Sequence, residues 1–385
     1  MDEPSTSSDD PRIPTHPGEM TPAWLTNVLH GSGTLTQAKI TSVVPEVLGT
    51  GRGFTGQVLR LHLGYDHRER SAPRSIIAKL PAGDPATRTA LHGLGLYARE
   101  VRFYQDVACS AAAPTPHVYY AATRADPPAA VLLLEDLSTG HVGNNLGGCL
   151  DDEAMLAVTH LARFHARWWD DPRLGEIAWL DAVDGDDLAN LYHQQWGPFR
   201  AKLAGLLPAR LEALGTTVLD RFSGYHRWLN APPCCIVHGD FRLDNLFFAD
   251  QSSPRPLTIF DWQVAVRGRG VSDVAYFAAF CLPVDARRRI EWALVQRYHE
   301  ELVASGVSGY SCEECWHDYR LATAHALVRL IAAGGLLDFS SERGTLLTEA
   351  LVVRTDAVLA DHGVAALFEH QFPVSPRVCS TGAGQ

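Results

Sequence analysis

The sequence predicts an α+β protein with a small β-rich N-terminal part and a larger, mainly helical C-terminal part. Strand-like patterns dominate residues 40–80, and long helical patterns dominate the chain after Ser138. This change of character places a lobe boundary between residues 137 and 138. We therefore predict an N-terminal lobe over residues 18–137 and a C-terminal lobe over residues 138–372.

The two ends of the chain are predicted to be loose. Residues 1–17 are rich in Ser, Asp and Pro, and their few apolar side chains cannot offset the entropy that ordering would cost. Residues 373–385 form a second tail of the same kind. Between the tails, a chain with 46% hydrophobic residues can form well-packed cores.

The charge balance disfavours some classes of partner. A formal net charge of -11 argues against nucleic acid and anionic membranes, because both attract basic surfaces. No uninterrupted apolar run of about 18 residues occurs, and the acidic N-terminus does not resemble a signal peptide. We expect a cytoplasmic protein that binds neither nucleic acid nor membrane; its oligomeric state stays open.

The eight cysteines indicate reduced thiols rather than a disulfide framework, because the chain is long and lacks a small-scaffold spacing pattern. Cys312 and Cys315 form a CxxC, with His317 close by in sequence. A zinc site would need a second such pair or more His ligands. We therefore expect no metal or redox role for this pair.

The N-terminal lobe is predicted from alternating strand patterns and one helical segment. SIIAKL, HVYYAAT and AAVLLLEDL are short strands, and residues from about Asp84 to Val107 have apolar side chains at helical spacing. In VLRLHLGY, four apolar side chains alternate onto one face of a strand: Leu59, Leu61, Leu63 and Tyr65.

The C-terminal lobe is predicted to contain long helices with two embedded strands. DDEAMLAVTHLARFHARWW is a helix for which Asp151 or Asp152 is the candidate N-cap. Helix is also predicted from Ala286 to His362. CCIVHGD and LTIFDWQ contain short apolar strands, and both strands end in acids, Asp240 and Asp261.

Polar residues follow these two strands in the order H-x-D-x-x-x-x-N and then D. Phosphoryl transfer needs an oriented hydroxyl and a positioned metal ion, and polar residues of these types could supply both. Asp and Asn beside strand ends are often only turn or cap residues, but four polar residues at this spacing favour a functional interpretation. The four are His238, Asp240, Asn245 and Asp261.

This pattern resembles the catalytic and metal-binding loops of the aminoglycoside phosphotransferase and choline kinase group, which is related to protein kinases. HGDFRLDN, FDWQ and LLLEDL are most similar to the ecdysteroid-kinase-like branch, and the resemblance spans about residues 40–340. It implies a protein-kinase-like two-lobed fold that uses ATP and Mg²⁺. Asp240 would be the catalytic residue that receives or orients the hydroxyl proton, while Asn245 and Asp261 would bind Mg²⁺.

A glycine-rich segment, GRGFTGQV, is the candidate phosphate-binding loop. Gly51, Gly53 and Gly56 fit the order G-x-G-x-x-G, which lets backbone N–H groups approach phosphates closely. A strand rather than a helix follows, so the kinase version of the loop fits better than a dinucleotide-binding one. An ordinary glycine-rich hairpin turn remains the alternative.

Lys79 and Glu100 are the predicted ion pair of the nucleotide site. Lys79 ends the strand SIIAK and, by the resemblance, contacts the α and β phosphates of ATP. A lysine at a strand end is often merely solvated, but the order of loop, Lys, Glu and HGD favours function. Backbone groups near Glu135 to Leu137 would hydrogen-bond adenine, although VLLLEDL is equally compatible with a plain buried strand.

Further residues are assigned supporting or substrate roles. His238 is expected to orient or pack the loop, and Asp273 resembles the family acid that accepts backbone hydrogen bonds from it. Arg242 is a candidate phosphate or substrate contact, with a solvated arginine as the equal alternative. Only one or two aromatic candidates are expected to touch the acceptor. The candidates are Trp168, Trp169, Tyr192, His193, Trp196, Trp316 and His325.

Rival function classes are disfavoured by sequence. FDWQ replaces D-F-G and no A-P-E follows it, which argues against a protein kinase, and neither G-x-S-x-G nor H-E-x-x-H occurs to suggest a hydrolase. A catalytically silent nucleotide-binding module would lack Lys79, Asp240 or Asp261. We therefore expect an ATP-dependent kinase of a small-molecule hydroxyl acceptor, first an antibiotic, otherwise a metabolic or sterol-like alcohol.

Overall fold

The computed structural model describes residues 12–48, 56–108, 114–181, 185–250, 253–332, 334 and 341–373. The chain divides into two compact units. Met1–His141 and Phe247–Ala265 form the first unit, and Val142–Leu246 and Val266–Gln385 form the second. The segment Phe247–Ala265 thus belongs with the N-terminal part, whereas the sequence pattern had grouped it with the C-terminal helices.

The first unit contains a five-stranded antiparallel sheet. Its strands are β1 (Ile40–Leu48), β2 (Gly56–Tyr65), β3 (Ser75–Pro81), β4 (Val118–Arg124) and β5 (Ala129–Glu135). They are arranged in the order β1-β2-β3-β5-β4. The alternation predicted for β2 is confirmed, because Leu59 and Leu61 are buried while Leu63 and Tyr65 pack partly buried against the same core.

Helix α1 (Pro22–Gly31), which the sequence analysis did not identify, packs against the core of this sheet through Leu25 and Leu29. The Thr21 hydroxyl caps it by accepting a hydrogen bond from the Trp24 N–H at 3.2 Å. Residues 1–11 of the predicted N-terminal tail lie outside the described residues. Thr15, in the remaining part of that tail, donates its backbone N–H to the Glu19 carboxylate at 2.6 Å.

The helical segment predicted between Asp84 and Val107 is present but interrupted. Gly95, with a φ of 71°, separates its two helices. Its parts are α2 (Pro85–Gly93), α3 (Leu96–Arg102) and a π-helical turn over Phe103–Val107. A separate three-stranded sheet has the order β6-β8-β9, with strands β6 (Gly140–Val142), β8 (Leu246–Ala249) and β9 (Leu257–Ile259).

The second unit is mainly helical, as predicted. Strands β7 (Cys235–Val237) and β10 (Val266–Gly268) pair antiparallel within it. The helices are α4 (Asp151–Arg167), α5 (Gly185–Lys202), α6 (Ala209–Asp220), α7 (Phe222–Leu229), α8 (Val271–Cys281), α9 (Val284–Ala304), α10 (Cys312–Ala322), α11 (Ala324–Ala332), α12 (Glu342–Asp361) and α13 (Val364–Gln371). Every residue of α8 is buried, so this helix lies inside the core of the unit.

The predicted cap of α4 is wrong. The N-cap is Leu150, whose backbone N–H donates to the Glu153 carboxylate at 3.1 Å. Asp151 already lies inside the helix, where its carboxylate pairs with Arg289 at 2.7 Å. An acidic residue in the first turn is still favourable there, because the N-terminus of a helix carries partial positive charge.

The described residues include the CxxC cysteines and the helices that bear on the expectations about metal binding and membrane spans. Cys312 and Cys315 are both free thiols. Within those ranges, no group of three or more His, Cys, Asp or Glu side chains is arranged to hold a metal ion by itself. None of the helices there combines the length and the apolar character needed to span a bilayer.

Candidate active site

In the first unit, Lys79 on β3 contacts two carboxylates. Its Nζ lies 2.7 Å from Oε2 of Glu100 and 2.6 Å from Oδ1 of Asp261. Burial alone would lower the pKa of Lys79, but the two carboxylates outweigh it and raise the pKa above its usual value. The side chain is therefore an ammonium ion at neutral pH, suited to contact a phosphate.

Glu100 lies on α3 and only 3% of its side chain is exposed. Burial raises the pKa of this carboxyl, while the Lys79 ammonium opposes the rise. The pair is thus held in a weakly solvated environment, where an ion pair is stronger than at the surface.

Asp261 follows β9 in an unusual backbone conformation. Its φ of 69° is left-handed, which costs a residue with a Cβ roughly 1–2 kcal/mol. The Gln263 amide Nε2 lies 3.4 Å from Oδ2 of Asp261. A local strain that brings a carboxylate to Lys79 is the kind of backbone feature found at functional sites.

The glycine-rich loop is described only at its end. Gly51 and Gly53 lie outside the described residues. Gly56 begins β2, and a Cβ added there would come within 2.6 Å of the Leu80 carbonyl oxygen. Any larger residue at position 56 would therefore displace the backbone of the neighbouring strand.

The predicted adenine-binding segment follows β5. The Glu135 carboxylate pairs with Arg255 at 2.6 Å, and the Glu135 backbone N–H donates to the His117 carbonyl at 2.8 Å. This N–H is therefore already used within the first unit. The predicted adenine contact would therefore use other backbone groups of the segment from Glu135 to Leu137.

In the second unit, Asp273 on α8 holds the loop that follows β7. Its Oδ2 accepts the His238 N–H at 2.6 Å and its Oδ1 accepts the Gly239 N–H at 2.9 Å. The His238 imidazole is buried, and its Nδ1 accepts the Asp240 N–H at 3.2 Å. Two side chains thus fix the backbone of three consecutive loop residues.

Asp273 has a further partner that the sequence analysis missed. His165 on α4 is fully buried, with Nδ1 2.9 Å from the Tyr298 hydroxyl and Nε2 3.4 Å from Oδ2 of Asp273. Burial would raise the pKa of Asp273, but His165 and the loop hydrogen bonds lower it below its usual value. A lone histidine inside the apolar helix LARFHARWW was the available signal.

The carboxylate of Asp240 is surrounded by donors. Its Oδ1 accepts the Tyr276 hydroxyl at 2.8 Å and lies 3.7 Å from Nη2 of Arg329. Its Oδ2 accepts the Asn245 amide at 3.1 Å and Arg242 Nε at 3.2 Å. Burial would raise the pKa of Asp240, but the two arginines lower it below its usual value, so the carboxylate is ionised.

Tyr276 and Arg329 were not predicted as site residues, although each had a sequence signal. Tyr276 lies three residues after Asp273, which puts both side chains on one face of α8. Arg329 is the basic residue within the apolar stretch ALVRLIA of α11. Both signals point to an interior polar contact, but neither identifies Asp240 as the partner.

The aromatic candidates separate into two groups. Tyr192 and His325 interact electrostatically with Arg329, and the His325 ring lies 6.1 Å from the Tyr276 ring. Burial and Arg329 lower the pKa of His325 to about 3, so the imidazole is neutral. The others pack elsewhere or are exposed: Trp168 beneath Arg173, Trp169 against Tyr310, Trp196 against Phe199, Trp316 against Trp292, and His193 at the surface.

Asn245 in the second unit and Asp261 in the first unit each present oxygen atoms of the kind that Mg²⁺ prefers. The Asn245 amide nitrogen is committed to Asp240, through its carbonyl at 2.9 Å and its Oδ2 at 3.1 Å, which leaves the amide oxygen as the ligating atom. Asp261 supplies carboxylate oxygens. Mg²⁺ commonly uses one or two such protein ligands and completes its shell with phosphates and water.

A family model describes most of these residues. The model of the ecdysteroid kinase-like family matches residues 50–167 and 183–306, which is more than half of the chain. Among curated proteins, acyl-CoA dehydrogenase family member 11 of Gallus gallus is 32% identical over 75 residues. These cover 18% of this chain and only 10% of that protein, so the chain spans about a tenth of this relative's length.

Solved structures show the fold. A Ralstonia eutropha protein provisionally named an aminoglycoside phosphotransferase superposes with a TM-score of 0.52 at 17% identity, over 85% of this chain and 93% of that one. The GDP complex of aminoglycoside 2'-phosphotransferase-IIIa gives 0.52 at 15%, over 83% and 94%. Choline kinase from Cryptosporidium parvum gives 0.51 at 9%, over 86% and 93%. The predicted α+β, protein-kinase-like fold is confirmed.

Proposed function

This chain belongs to the ecdysteroid kinase-like family, and on that premise we propose that it is an ATP-dependent O-phosphotransferase acting on a small-molecule hydroxyl. The observation that carries the proposal is the position of Lys79, within 2.7 Å of both Glu100 and Asp261. Kinases need this lysine paired with a helix glutamate and near the metal-binding acid.

In the proposed reaction, bound Mg-ATP supplies the phosphoryl group, and the metal ion neutralises the charge that develops on it. Lys79 contacts the nucleotide phosphates and is kept protonated by its carboxylate partners. Asn245 and Asp261 would be the residues that offer oxygen atoms to the metal ion. Leu137 and its neighbours provide the backbone contacts to adenine.

Asp240 orients the acceptor hydroxyl and receives its proton. Its carboxylate is ionised, and Tyr276 and Asn245 fix both oxygens. A low pKa makes it a weak base, which suits phosphoryl transfer, because the reaction needs positioning of the nucleophile more than strong proton abstraction. His238 and Asp273 hold the loop in place and take no part in proton transfer.

A panel assay tests this function. The purified protein is incubated with ATP, Mg²⁺ and hydroxylated compounds, and products are identified by a mass increase of one phosphoryl group. Antibiotics and metabolic or sterol-like alcohols belong in the panel, because a fold and its catalytic residues do not name a substrate. Tight Mg-ATP binding without any transfer would instead support a catalytically silent nucleotide-binding module.

A further inference from the structure

Residues 143–148 of the second unit lie against the catalytic loop, residues 238–245. The Gly143 N–H donates to the Leu246 carbonyl at 2.9 Å. A Cβ added at Gly143 would come within 2.6 Å of the Leu243 carbonyl oxygen, so a larger residue there would push the two backbones apart. Glycine at this position thus allows the segment to reach the middle of the loop.

Asn145 contacts the loop through both its side chain and its backbone. It is 1% exposed. Its Oδ1 accepts the Leu243 N–H at 3.1 Å, and its own N–H donates to Oδ1 of Asp244 at 3.2 Å. Because this buried residue is bonded to two consecutive loop residues, it restrains both the position and the direction of the loop backbone.

Cys281, the last residue of α8, takes part in the same contact. Its sulfur lies 3.2 Å from Oδ1 of Asn145 and 3.3 Å from the Leu243 nitrogen. Burial raises the pKa of the thiol, so it keeps its proton and can donate to Asn145 while the sulfur accepts the Leu243 N–H. The Leu243 amide is thus held by side chains from two different parts of the second unit.

Arg354 on α12 holds the backbone of Asn145. Its Nη1 donates to the Asn145 carbonyl at 2.6 Å and to the Phe280 carbonyl at 2.8 Å, and its Nη2 donates to the Leu146 carbonyl at 2.9 Å. The guanidinium is buried, and its planar fork joins carbonyls of two segments. Asn145 is therefore tied to the core helices α8 and α12.

The restrained part of the loop is a turn that ends at Asn245. Leu243–Asn245 is a short 3-10 helix, and the Asn245 N–H donates to the Arg242 carbonyl at 2.8 Å. In so short a turn, a shift of the first two residues moves the last one with them. The Asn245 amide nitrogen donates to the Asp240 carbonyl at 2.9 Å and to its Oδ2 at 3.1 Å, so the direction of the amide depends on this turn.

We propose that Asn145 is a positioning residue for Asn245 and sets the direction of the amide oxygen that Asn245 would offer to Mg²⁺. This inference rests on the phosphotransferase function proposed above and adds a residue that the pattern H-x-D-x-x-x-x-N does not contain. Asn145 acts through the loop and is not itself a ligand. Residues that orient a metal ligand by hydrogen bonding typically change metal affinity by about 10- to 100-fold when they are lost.

The test measures how much Mg²⁺ is needed for binding of a non-hydrolysable ATP analogue, by calorimetry at a series of Mg²⁺ concentrations. Asn145→Leu removes the accepting oxygen at nearly constant volume. Cys281→Ala removes the thiol beside it, and Cys281→Ser keeps a donor there. The control is Tyr319→Phe, which removes a buried hydroxyl that donates from α10 to Glu291 of α9 at 3.1 Å.

We expect the Mg²⁺ concentration at half-saturation to rise by about ten-fold or more in Asn145→Leu, and by at least about three-fold in Cys281→Ala, where Asn145 keeps its own contacts. Cys281→Ser and Tyr319→Phe should need about as much Mg²⁺ as the wild type. Affinity for the analogue in EDTA should be the same in all of these proteins, because Asn245 acts on the metal ion. Where an acceptor is phosphorylated, excess Mg²⁺ should restore the rate of Asn145→Leu, which it would not do for a variant that had only lost stability.

The inference is overturned if Asn145→Leu needs no more Mg²⁺ than the wild type, if Tyr319→Phe shows the same rise, or if the affinity loss persists unchanged in EDTA. Thermal midpoints show whether the variants are folded. If Asn145→Leu does not fold, Cys281→Ala decides, and a Mg²⁺ requirement equal to that of the wild type or of Cys281→Ser contradicts the proposal.

Failure of the proposed function gives a different result. A wild type that binds the analogue with Mg²⁺ but phosphorylates no compound refutes the phosphotransferase, and the same comparison of Mg²⁺ requirements still decides the role of Asn145. A wild type that binds no analogue in the presence of Mg²⁺ contradicts both proposals.

Discussion

The indole of Trp262 stacks on the ring of Phe103, with the centroids 4.0 Å apart and the planes inclined by 6°. Trp262 directly follows Asp261, and Phe103 lies three residues after Glu100. The stack therefore links the loop that carries Asp261 to the helix that carries Glu100, and these are the two carboxylate partners of Lys79. Both rings are fully buried, so their contact sets the spacing of the two carboxylates.

Substitutions of Trp262 test whether the stack supports nucleotide binding as well as stability. Trp262→Ala removes a buried ring and should destabilise the protein by about 3–5 kcal/mol in urea unfolding. It should also weaken Mg-ATP binding, because Asp261 and Glu100 lose their fixed spacing. Trp262→Phe keeps a stacked ring and should retain most of the affinity. Phe368→Ala, which removes a buried aromatic ring of α13, is the control. It should lower the free energy of unfolding but leave the Mg-ATP affinity unchanged. Equal losses of Mg-ATP affinity in Phe368→Ala and Trp262→Ala would contradict a specific role for the stack.

Asp240→Asn tests the proposed catalytic residue. The change keeps the size of the side chain but removes the negative charge that receives the hydroxyl proton, so turnover should fall by about 100- to 10,000-fold. ATP affinity, measured by calorimetry, should be nearly unchanged, since no phosphate contact is lost. Turnover comparable to the wild type would show that Asp240 does not have this role.

Asp261→Ala tests the proposed metal ligand. Deleting a charged ligand should raise the Kd for ATP in the presence of Mg²⁺ by at least about ten-fold. With EDTA present, the wild type and the variant should bind the nucleotide almost equally weakly. A Mg-ATP affinity that is the same in both proteins would count against Asp261 as a ligand.

The destination of the phosphate separates a small-molecule enzyme from a protein kinase. The sequence lacks A-P-E after FDWQ, and helices α4 to α7 occupy the region between residues 151 and 229. We expect label from γ-phosphate-labelled ATP to enter free hydroxyl compounds and not generic protein substrates. Label incorporated into proteins at enzymatic rates, with none in small molecules, would reverse this assignment.

Glu69 should make the stability of the first unit dependent on acid pH. Its carboxylate accepts the N–H groups of Ala38 and Gln37 at 2.6 Å and of Thr36 at 2.8 Å. These hydrogen bonds, that of Ala38 first, lower the pKa of Glu69 from 4.5 to about 2. The pKa of Glu69 is lower in the folded state than in the unfolded state, so the ionised carboxylate stabilises the fold fully above pH 4.5. This stabilisation disappears as the pH falls towards 2.

The matched variant is Glu69→Gln, which cannot ionise. Its free energy of unfolding should be below that of the wild type at pH 7, and the difference should shrink at pH 3, where the wild type is also losing this contribution. Urea unfolding at the two pH values measures both quantities. A difference that stays constant would show that the charge of Glu69 does not stabilise the fold.

The sequence predicted those parts of the site that are set by local order along the chain. Asp240 and Asn245 follow one buried strand and Asp261 follows another, so a short pattern was enough to find them. Alternation of apolar residues likewise predicted β2. Such patterns can be read from the sequence alone because they depend on neighbouring residues, whose relative geometry is fixed by the backbone.

What the sequence could not predict depends on tertiary packing. Arg329 and Tyr276 reach Asp240 from two different helices, 89 and 36 residues further along the chain. No periodic pattern reports such contacts, because each side chain fits its own helix equally well without them. Helix α1 was missed because its short apolar face becomes distinct only when it packs on the sheet.

The complete burial of α8 has a consequence for the motions of the catalytic loop. Active-site loops usually belong to the least stable parts of a protein and open locally. Here the amides of His238 and Gly239 donate to Asp273, an acid on a helix with no exposed residue. Their hydrogen exchange should therefore be as slow as that of the core of the second unit and require its cooperative unfolding, so that this loop acts as a fixed platform while other segments adapt to the acceptor.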